Sequence, residues 1–477
     1  MRPALASRRA RRCPADLRLS AAVLAGRATA RLVRRLRLGG GTSLPGLVAQ
    51  RLDAQSARKL AAALPQGVVL ATGTNGKTTT TRLLSGIAHQ AGWRAVHNRA
   101  GANLAGGVLA ALVEAGSADG RLSGDLGIFE VDEAAYPHGQ DLVQPRVVAF
   151  TNLFRDQLDR YGEVDIVRSI WRDAVSRLDP ATTLVLNADD PLVASLAQAR
   201  AAGPVLFYGL DAGEAVATAA PQTSDARRCP LCGDPLQHER VHYGHVGHYR
   251  CTSCAFARPA PDVRATALWP RYDGGQVMRL ETPAGTADVA VPLPGMYNAY
   301  NALAAAAAAL ALRIGLAEVR AGLAAGAQVF GRGERVAIAG RELLLALIKN
   351  PVGCTEVLRT LTQDGGQHVV LVIINDRLAD GTDVSWLWDA EFELLAERVT
   401  CALVAGTRAE DMAVRLKYAG VPVERIVCEP QLDRALATAL GAARPGQCVR
   451  VLPTYTALLE FRELLARAGA LHHFWED

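Results

Sequence analysis

Residues 71–80 read Ala-Thr-Gly-Thr-Asn-Gly-Lys-Thr-Thr-Thr. An apolar run, GVVLAT (67–72), leads into the glycines, and a helical pattern (77–90) leads out. Strand, glycine-rich turn, Lys-Thr and helix come in the order of a phosphate-binding loop. Gly73 and Gly76 would let backbone N–H groups face phosphate oxygens, with Thr74 and Asn75 between them. Lys77 would reach the β- and γ-phosphates of ATP. The Thr78 hydroxyl would ligate Mg²⁺, with Thr79 beside it. Ala71 stands where the full motif has Gly, so the match is not complete. A glycine-rich turn with a chance Lys is the competing reading. Lysine usage argues against it: Lys59, Lys77, Lys349 and Lys417 are the only four among 52 basic residues.

A nucleotide-bound metal needs a carboxylate as well. FEVDEA (129–134) ends an apolar run with Glu130, Asp132 and Glu133. In a parallel sheet that end is where ligands bind, and Glu130 is the first choice for Mg²⁺. A solvated acidic turn would look the same. A second metal signal is independent of the loop. Cys229-x₂-Cys232 and Cys251-x₂-Cys254, 18 residues apart, have zinc-ribbon spacing. Four thiolates leave no open position, so Zn²⁺ there would be structural. His238, His242, His245 and His248 lie between the pairs and are expected to be exposed hairpin residues. Cys13, Cys354, Cys401, Cys428 and Cys448 are isolated and read as small hydrophobes. This is no disulfide framework, and it suggests a reducing compartment.

The elements that must position these groups form two series. Apolar runs at 67–72, 126–131, 146–152, 183–187 and 204–209 alternate with helical patterns. That rhythm predicts an α/β fold with a parallel, doubly wound sheet. Residues 222–262 interrupt it with Pro, Cys, His and Gly, as an inserted module would. An alanine-rich helix (298–313) closes the first domain, and FGRGER (330–335) reads as a linker. A second α/β series comes next, with strands at 342–347, 368–374, 401–406, 425–428 and 448–453. The expected division is a basic extension (1–38), a central ATP-binding domain (39–331, ribbon at about 222–262) and a second Rossmann-like domain (332–477).

Composition sets the outer bounds. The chain has 477 residues, half of them hydrophobic and 21% charged, as in a globular protein. The longest apolar run, Ala302 to Leu312, is too short to span a bilayer. The net charge of +5 hides an asymmetry. Residues 1–38 carry eleven Arg and one acid, +10, so the remainder carries 5 − 10 = −5. An acidic body with a basic head is not a nucleic-acid-binding domain. For the head, an Arg-faced amphipathic helix at an anionic membrane surface and a plain solvated helix are both compatible.

Taken together, the motifs resemble the Mur ligase superfamily. GTNGKTTT is similar to its ATP loop and NRAGANLAGG (98–107) to its substrate-side loop. TNLFRDQLDRYG (151–162), LNADDP (186–191), GMYNAYNALAAAA (295–307) and GRGER (331–335) come in the family's order. Only 72 residues precede Gly73, too few for the usual domain that holds a UDP-linked precursor. GGGTSLPGLVAQRLD (39–53), the four-Cys insertion, KNPVG (349–353), NDRLADGTDVSWLWDAEFE (375–393) and RLKYAG (415–420) are similar to the MurT branch. Two departures stand out. Gln157 replaces a family His at the second metal site, and no Lys lies between Lys77 and Lys349 to take the place of the family's carbamylated one.

The resemblance implies a chemistry. An ATP-dependent carbon–nitrogen ligase would phosphorylate the α-carboxylate of D-Glu in the lipid II stem peptide. Ammonia from a GatD-type glutaminase subunit would then give D-isoglutamine. Asn298 and Asn301 would lie near the adenine or ribose, Arg332 near the γ-phosphate, and Lys349 on the nucleotide from the second domain. Helix capping for the two Asn and an interdomain ion pair for Arg332 are the alternatives. Asp383, with Asp380 second, would complete the glutaminase's Cys–His pair, although D-G-x-D sequences ordinarily close turns through their own backbone. Trp386 and Trp388 would anchor the partner or sit in the core. A cytoplasmic protein is implied, with the inner face of the membrane as its candidate peripheral site. Another amide ligase of the superfamily, similar to folylpolyglutamate synthase, is the alternative. So is a zinc-ribbon binding protein with a regulatory nucleotide switch.

Overall fold

The structure is a computed structural model. It describes residues 16–35, 43–98, 102–117, 119–156, 164–212, 224–271, 274–326, 332–444 and 446–471. The apolar runs become the strands β1 (Val68–Thr72), β2 (Ala95–His97), β3 (Leu126–Glu130), β4 (Val147–Phe150), β5 (Thr183–Asn187) and β6 (Val205–Leu210). β1, β3 and β4 are buried on both faces, which is why they read as unbroken hydrophobic segments. After the hairpin β7 (Leu236–Tyr243) and β8 (Val246–Cys251) come β9 (Val263–Pro270), β10 (Gln276–Thr282) and β11 (Gly285–Val291). The large sheet runs β11-β10-β9-β6-β5-β4-β1-β3-β2. It is parallel from β9 to β2, with β10 and β11 added antiparallel.

That antiparallel edge is absent from the sequence-based expectation. Its outward residues are ion pairs, Arg264–Glu281 at 2.8 Å and Arg279–Asp288 at 2.9 Å. Only alternate residues face the core. The alanine-rich helix Met296–Ala311 packs on one face of the sheet, buried from Asn298 to Ala309. Methyl side chains let it lie close to the strands.

The second domain has β12 (Arg332–Ile338), β13 (Arg341–Ala346), β14 (His368–Ile373), β15 (Val399–Ala405), β16 (Ile426–Cys428) and β17 (Cys448–Pro453), ordered β12-β13-β17-β14-β15-β16. Only β12 is antiparallel to its neighbour. The segment expected as a linker thus enters a strand at Arg332. Glu334 is tied to Arg462 of the last helix by an ion pair.

Residues 1–15 of the basic head lie outside the described residues. The helix formed by the rest of the head is not solvated on all sides. This helix, α1 (Leu17–Arg35), buries Leu19, Ala22, Val23, Gly26 and Ala30 beside α2 (Leu44–Leu52) and α5 (Ala105–Ala115). Between these lie α3 (Ser56–Ala62) and α4 (Lys77–Gln90). A Cβ on Gly26 would come within 2.6 Å of Val113 and 2.9 Å of the Pro45 carbonyl, so close helix approach requires glycine. No helix among the described residues is long and apolar enough to cross a membrane.

Candidate active site and cysteine ribbon

The turn between β1 and α4 places its backbone as a phosphate loop does. Gly73 and Gly76 have φ of +140° and +88°. A Cβ on Gly76 would lie 2.0 Å from Asn301 Oδ1, and one on Gly73 would lie 2.0 Å from Thr151 Oγ1. Both positions therefore demand glycine. The loop is fastened from β4's end. Asn152 Oδ1 accepts from the Asn75 N–H at 2.8 Å, Thr151 Oγ1 donates to the Asn75 carbonyl at 2.7 Å, and Thr74 Oγ1 donates to the Phe154 carbonyl at 3.1 Å.

Lys77 begins α4. Its Nζ donates to the Gly73 carbonyl at 2.6 Å and to Glu133 at 2.8 Å, with Asp132 at 3.6 Å. Burial alone would favour the neutral amine, but Glu133 and Asp132 outweigh it and hold the ammonium well above its usual range. Thr78 Oγ1 donates to Glu130 Oε2 at 2.6 Å. Asn98 grips the Glu130 backbone on both sides, accepting from its N–H at 3.0 Å and donating to its carbonyl at 2.8 Å. Glu133 and Asp132 serve Lys77, and Asp132 also accepts from Asn103 at 2.5 Å. Glu130 and Thr78 remain as a pair of hard oxygen donors, the chemistry Mg²⁺ takes.

The second domain closes over this loop. Lys349 Nζ meets Asp156 at 2.5 Å. Burial pushes the Asp156 carboxyl up, and the Lys349 charge pulls against it without prevailing. Asn350 caps the helix Pro351–Thr362 through the Gly353 N–H at 2.8 Å, and its amide pairs with that of Asn75 at 3.0 Å. Between the domains lies a cavity of about 590 Å³, walled by Thr74 to Thr78, Glu130, Asn301, Lys349, Glu356 and Tyr455 among others. Thr79 is buried and, like Asn298, is not part of the wall. Asn298 donates to the Pro294 carbonyl at 2.7 Å and accepts from Asn301 at 3.2 Å. Gln157 lies outside the described residues, as does the Arg332 side chain.

Glu356 has no motif to announce it. It sits one turn into an amphipathic helix, where a Glu ordinarily faces water, yet it is buried in the cavity wall. Burial pushes its carboxyl up to about 7, against the pull of Arg359.

Cys229, Cys232, Cys251 and Cys254 converge, with all four Sγ atoms within 4.8 Å of one another. The Leu231 and Ser253 N–H groups point at Cys229 and Cys251 Sγ at 3.5 and 3.4 Å. Four thiols with backbone amides turned toward two of them suit a tetrahedral, closed Zn²⁺ site. The histidines correct the sequence-based expectation. His238, His242 and His245 are buried and His248 is half-buried. The hairpin folds back on the main domain. His245 Nε2 lies 3.3 Å from Asp190, and the Tyr249 hydroxyl donates to the Ala188 carbonyl at 3.1 Å. Burial drops His242 to about 4. The hairpin's tip, Gly244, packs on Phe154 and Val352, and Tyr243 reaches the cavity wall.

In the second domain Asp380 and Asp383 diverge. Asp380 is buried and accepts from the Thr456 N–H at 2.7 Å. Asp383 is exposed, accepts from the Ser385 N–H at 2.8 Å, and is held below the usual carboxylate range by it. The turn-closing bond is therefore present, and the carboxylate still faces outward. Trp386 is half-buried against the core, while Trp388 is exposed against Tyr418, with ring centroids 5.9 Å apart.

Comparison with known proteins agrees with this geometry. Residues 71–250 match the Mur ligase middle domain and 347–458 the MurT ligase C-terminal region. The chain is 34% identical over 452 residues to the MurT subunit of lipid II isoglutaminyl synthase (glutamine-hydrolyzing) of Streptococcus pneumoniae R6, covering 94% of this chain and 98% of that one. The chain belongs to the MurT family. Its likeness to the Staphylococcus aureus COL MurT subunit is also 34%, over 90% of this chain and 93% of that one. Among solved structures, MurF of Acinetobacter baumannii superposes with a TM-score of 0.66 at 20% identity, over 89% of this chain and 80% of that one. That likeness speaks to the Mur ligase fold, which this MurT-family chain shares.

Proposed function

We propose that this chain is the ligase subunit of a lipid II-amidating enzyme in the cytoplasm. ATP phosphorylates the α-carboxylate of D-Glu in the stem peptide, and ADP leaves. Ammonia attacks the acyl phosphate, the carbon–oxygen bond to phosphate breaks, one proton is lost from nitrogen, and a carboxamide forms. The observation that carries this reading is the convergence of Lys77, the Thr78–Glu130 pair and Lys349 on one cavity walled by both domains. Most of the catalytic work in such a transfer is positioning and charge compensation.

The loop Gly73-Thr74-Asn75-Gly76 would cradle the phosphates, its shape fixed by Asn152, which accepts from the Thr74 and Asn75 N–H groups, and Lys77 would lie against them with its charge secured by Glu133. Thr78 and Glu130 would hold Mg²⁺, which supplies charge neutralisation at the phosphates. Thr79 backs the loop from inside. Asn301 abuts Gly76 at the nucleoside side, with Asn298 bracing it, and Arg332 would approach from the hinge. Lys349 adds a second cation from the other domain. Zn²⁺ in the cysteine ribbon is structural.

Ammonia is scarce at neutral pH, since most of it is ammonium. A GatD-type glutaminase subunit supplies it, and Asp383 of this chain orients the imidazole of that partner's Cys–His pair. The names of the 34%-identical relatives, which include the words glutamine-hydrolyzing and subunit, support this. The deciding experiment incubates lipid II with this chain, ATP and Mg²⁺, plus an ammonium salt, and weighs the product. Replacement of one OH by NH₂, read as the matching drop in mass, is expected. Unchanged lipid II from a chain that binds ATP would sink the reading.

A further inference from the structure

Helix α1 has two apolar stripes, and among the described residues only one is covered. The stripe of Leu19, Ala22, Val23, Gly26 and Ala30 is buried. On the opposite side Leu17, Leu24 and Leu32 are 78%, 56% and 57% exposed, with Ala21 and Ala28 between them. Their spacing of seven and eight residues keeps them in one line along the helix. Arg18 and Arg31 flank that line and Arg35 ends it, all three exposed, whereas Arg27 is turned inward, donating to the Gly116 carbonyl at 2.7 Å. Neighbouring α2 repeats the pattern with exposed Leu44, Leu47 and Arg51.

This surface runs toward the cavity. A Cβ on Gly46 of α2 would lie 2.4 Å from the Gly106 carbonyl of α5, and one on Gly106 would lie 3.0 Å from Ser43. The residue just before α5 is Leu104, which is both exposed and part of the cavity wall. Exposed leucines therefore extend from α1 through α2 to the opening where an acceptor must enter.

We propose that the outward faces of α1 and α2 dock on an anionic lipid bilayer and turn the cavity mouth toward a lipid-linked acceptor. The clause about the acceptor rests on the function proposed above; the docking surface does not. Leucines in line with flanking arginines match the interface of a bilayer, where side chains enter the acyl boundary and guanidinium groups meet anionic headgroups. Residues 1–38, with a net charge of +10, strengthen the attraction to negative lipid.

The test uses the full chain and vesicles free of lipid II, either phosphatidylcholine alone or with phosphatidylglycerol. Flotation should recover the chain with the anionic vesicles, less at high salt. Leu17→Gln/Leu24→Gln/Leu32→Gln should lower that binding by about tenfold or more, with melting temperature and affinity for a non-hydrolysable ATP analogue unchanged. The same variant should amidate a water-soluble D-Glu pentapeptide normally and lipid II in vesicles more slowly. No binding to anionic vesicles by the unaltered chain overturns the proposal. So does undiminished binding by the triple variant, or a change in its oligomeric mass, which would make the stripe a contact between copies. Vesicle binding without amidation of either substrate would keep the docking surface and remove the ligase reading.

Discussion

At the scale of single residues, burial and not residue type decides what a carboxyl group does. Asp383 and Glu356 are both acids of the second domain, one held below its usual range at the surface and one raised to about 7 in a cavity wall. The sequence made Lys77, Thr78 and Glu130 legible because a phosphate loop fixes residue types at fixed spacing. It could not reveal Glu356, whose carboxyl is raised first by burial, with Arg359 opposing and Glu391 adding to it. A raised acid gives a definite pH dependence. The unfolded chain loses the Glu356 proton near the ordinary 4.5, and the folded chain keeps it until about 7. The unfolded state thus binds fewer protons in that window, so this group's contribution to stability falls as pH rises from 4.5 to 7 and stays low above. Glu356→Gln removes this pH-dependent loss, up to about 3 kcal/mol. Denaturant titrations at pH 5 and pH 8 should show a smaller loss for the variant than for the unaltered chain. Equal losses would mean that Glu356 is ionised in the fold.

Elements were readable where both faces of a strand are buried and obscure where only one is. β1, β3 and β4 announce themselves, whereas β10 and β11 alternate Arg, Glu and Asp with core residues and look like loop. β12 hides similarly behind RGER. The ribbon's cysteines were plain from spacing, but three of its histidines were misread as exposed, since nothing local says that a hairpin folds back on its host. That return has a consequence. Gly244, at φ +55° and the tip of the hairpin, presses on Phe154, whose carbonyl accepts from Thr74 of the phosphate loop. A Cβ there would meet the Phe154 ring at 2.8 Å. Gly244→Val should therefore leave one zinc per chain, read by elemental analysis, yet weaken calorimetric binding of a non-hydrolysable ATP analogue by about tenfold, the equivalent of about 1.4 kcal/mol. Cys232→Ser should lower both zinc content and nucleotide affinity. If zinc falls and affinity does not, the tip holds its place without the metal.

On the proposed function the whole molecule brings two separate chemistries onto one chain, and its second domain would serve both. Its inner side gives Lys349, Gly353 and Glu356 to the cavity. Its outer side carries Asp383 and the aromatic pair Trp388–Tyr418, which are 54% and 70% exposed. That outer loop is pinned from beneath. Buried Arg415 donates to the carbonyls of Leu387 at 2.9 Å and Ala390 at 2.7 Å, and its guanidinium lies 5.5 Å from the Trp388 ring. An exposed tryptophan held rigidly by a buried arginine has little entropy left to lose on binding, which suits an interface anchor. The two proposed roles can be separated because they would use different nitrogen sources. Asp383→Asn keeps the turn-closing bond to Ser385, since an amide oxygen also accepts, but it cannot stabilise an imidazolium. Amidation of lipid II driven by ammonium should then proceed at its normal rate. Amidation driven by glutamine and the purified glutaminase should fall by about 10³-fold or more. Trp388→Ala should instead weaken association of the two subunits, measured by calorimetry, and its loss of glutamine-driven rate should be recovered at high subunit concentration. An Asp383→Asn chain that loses both reactions equally would place Asp383 in the ligase site or the fold itself, and the shared catalytic centre would have to be abandoned.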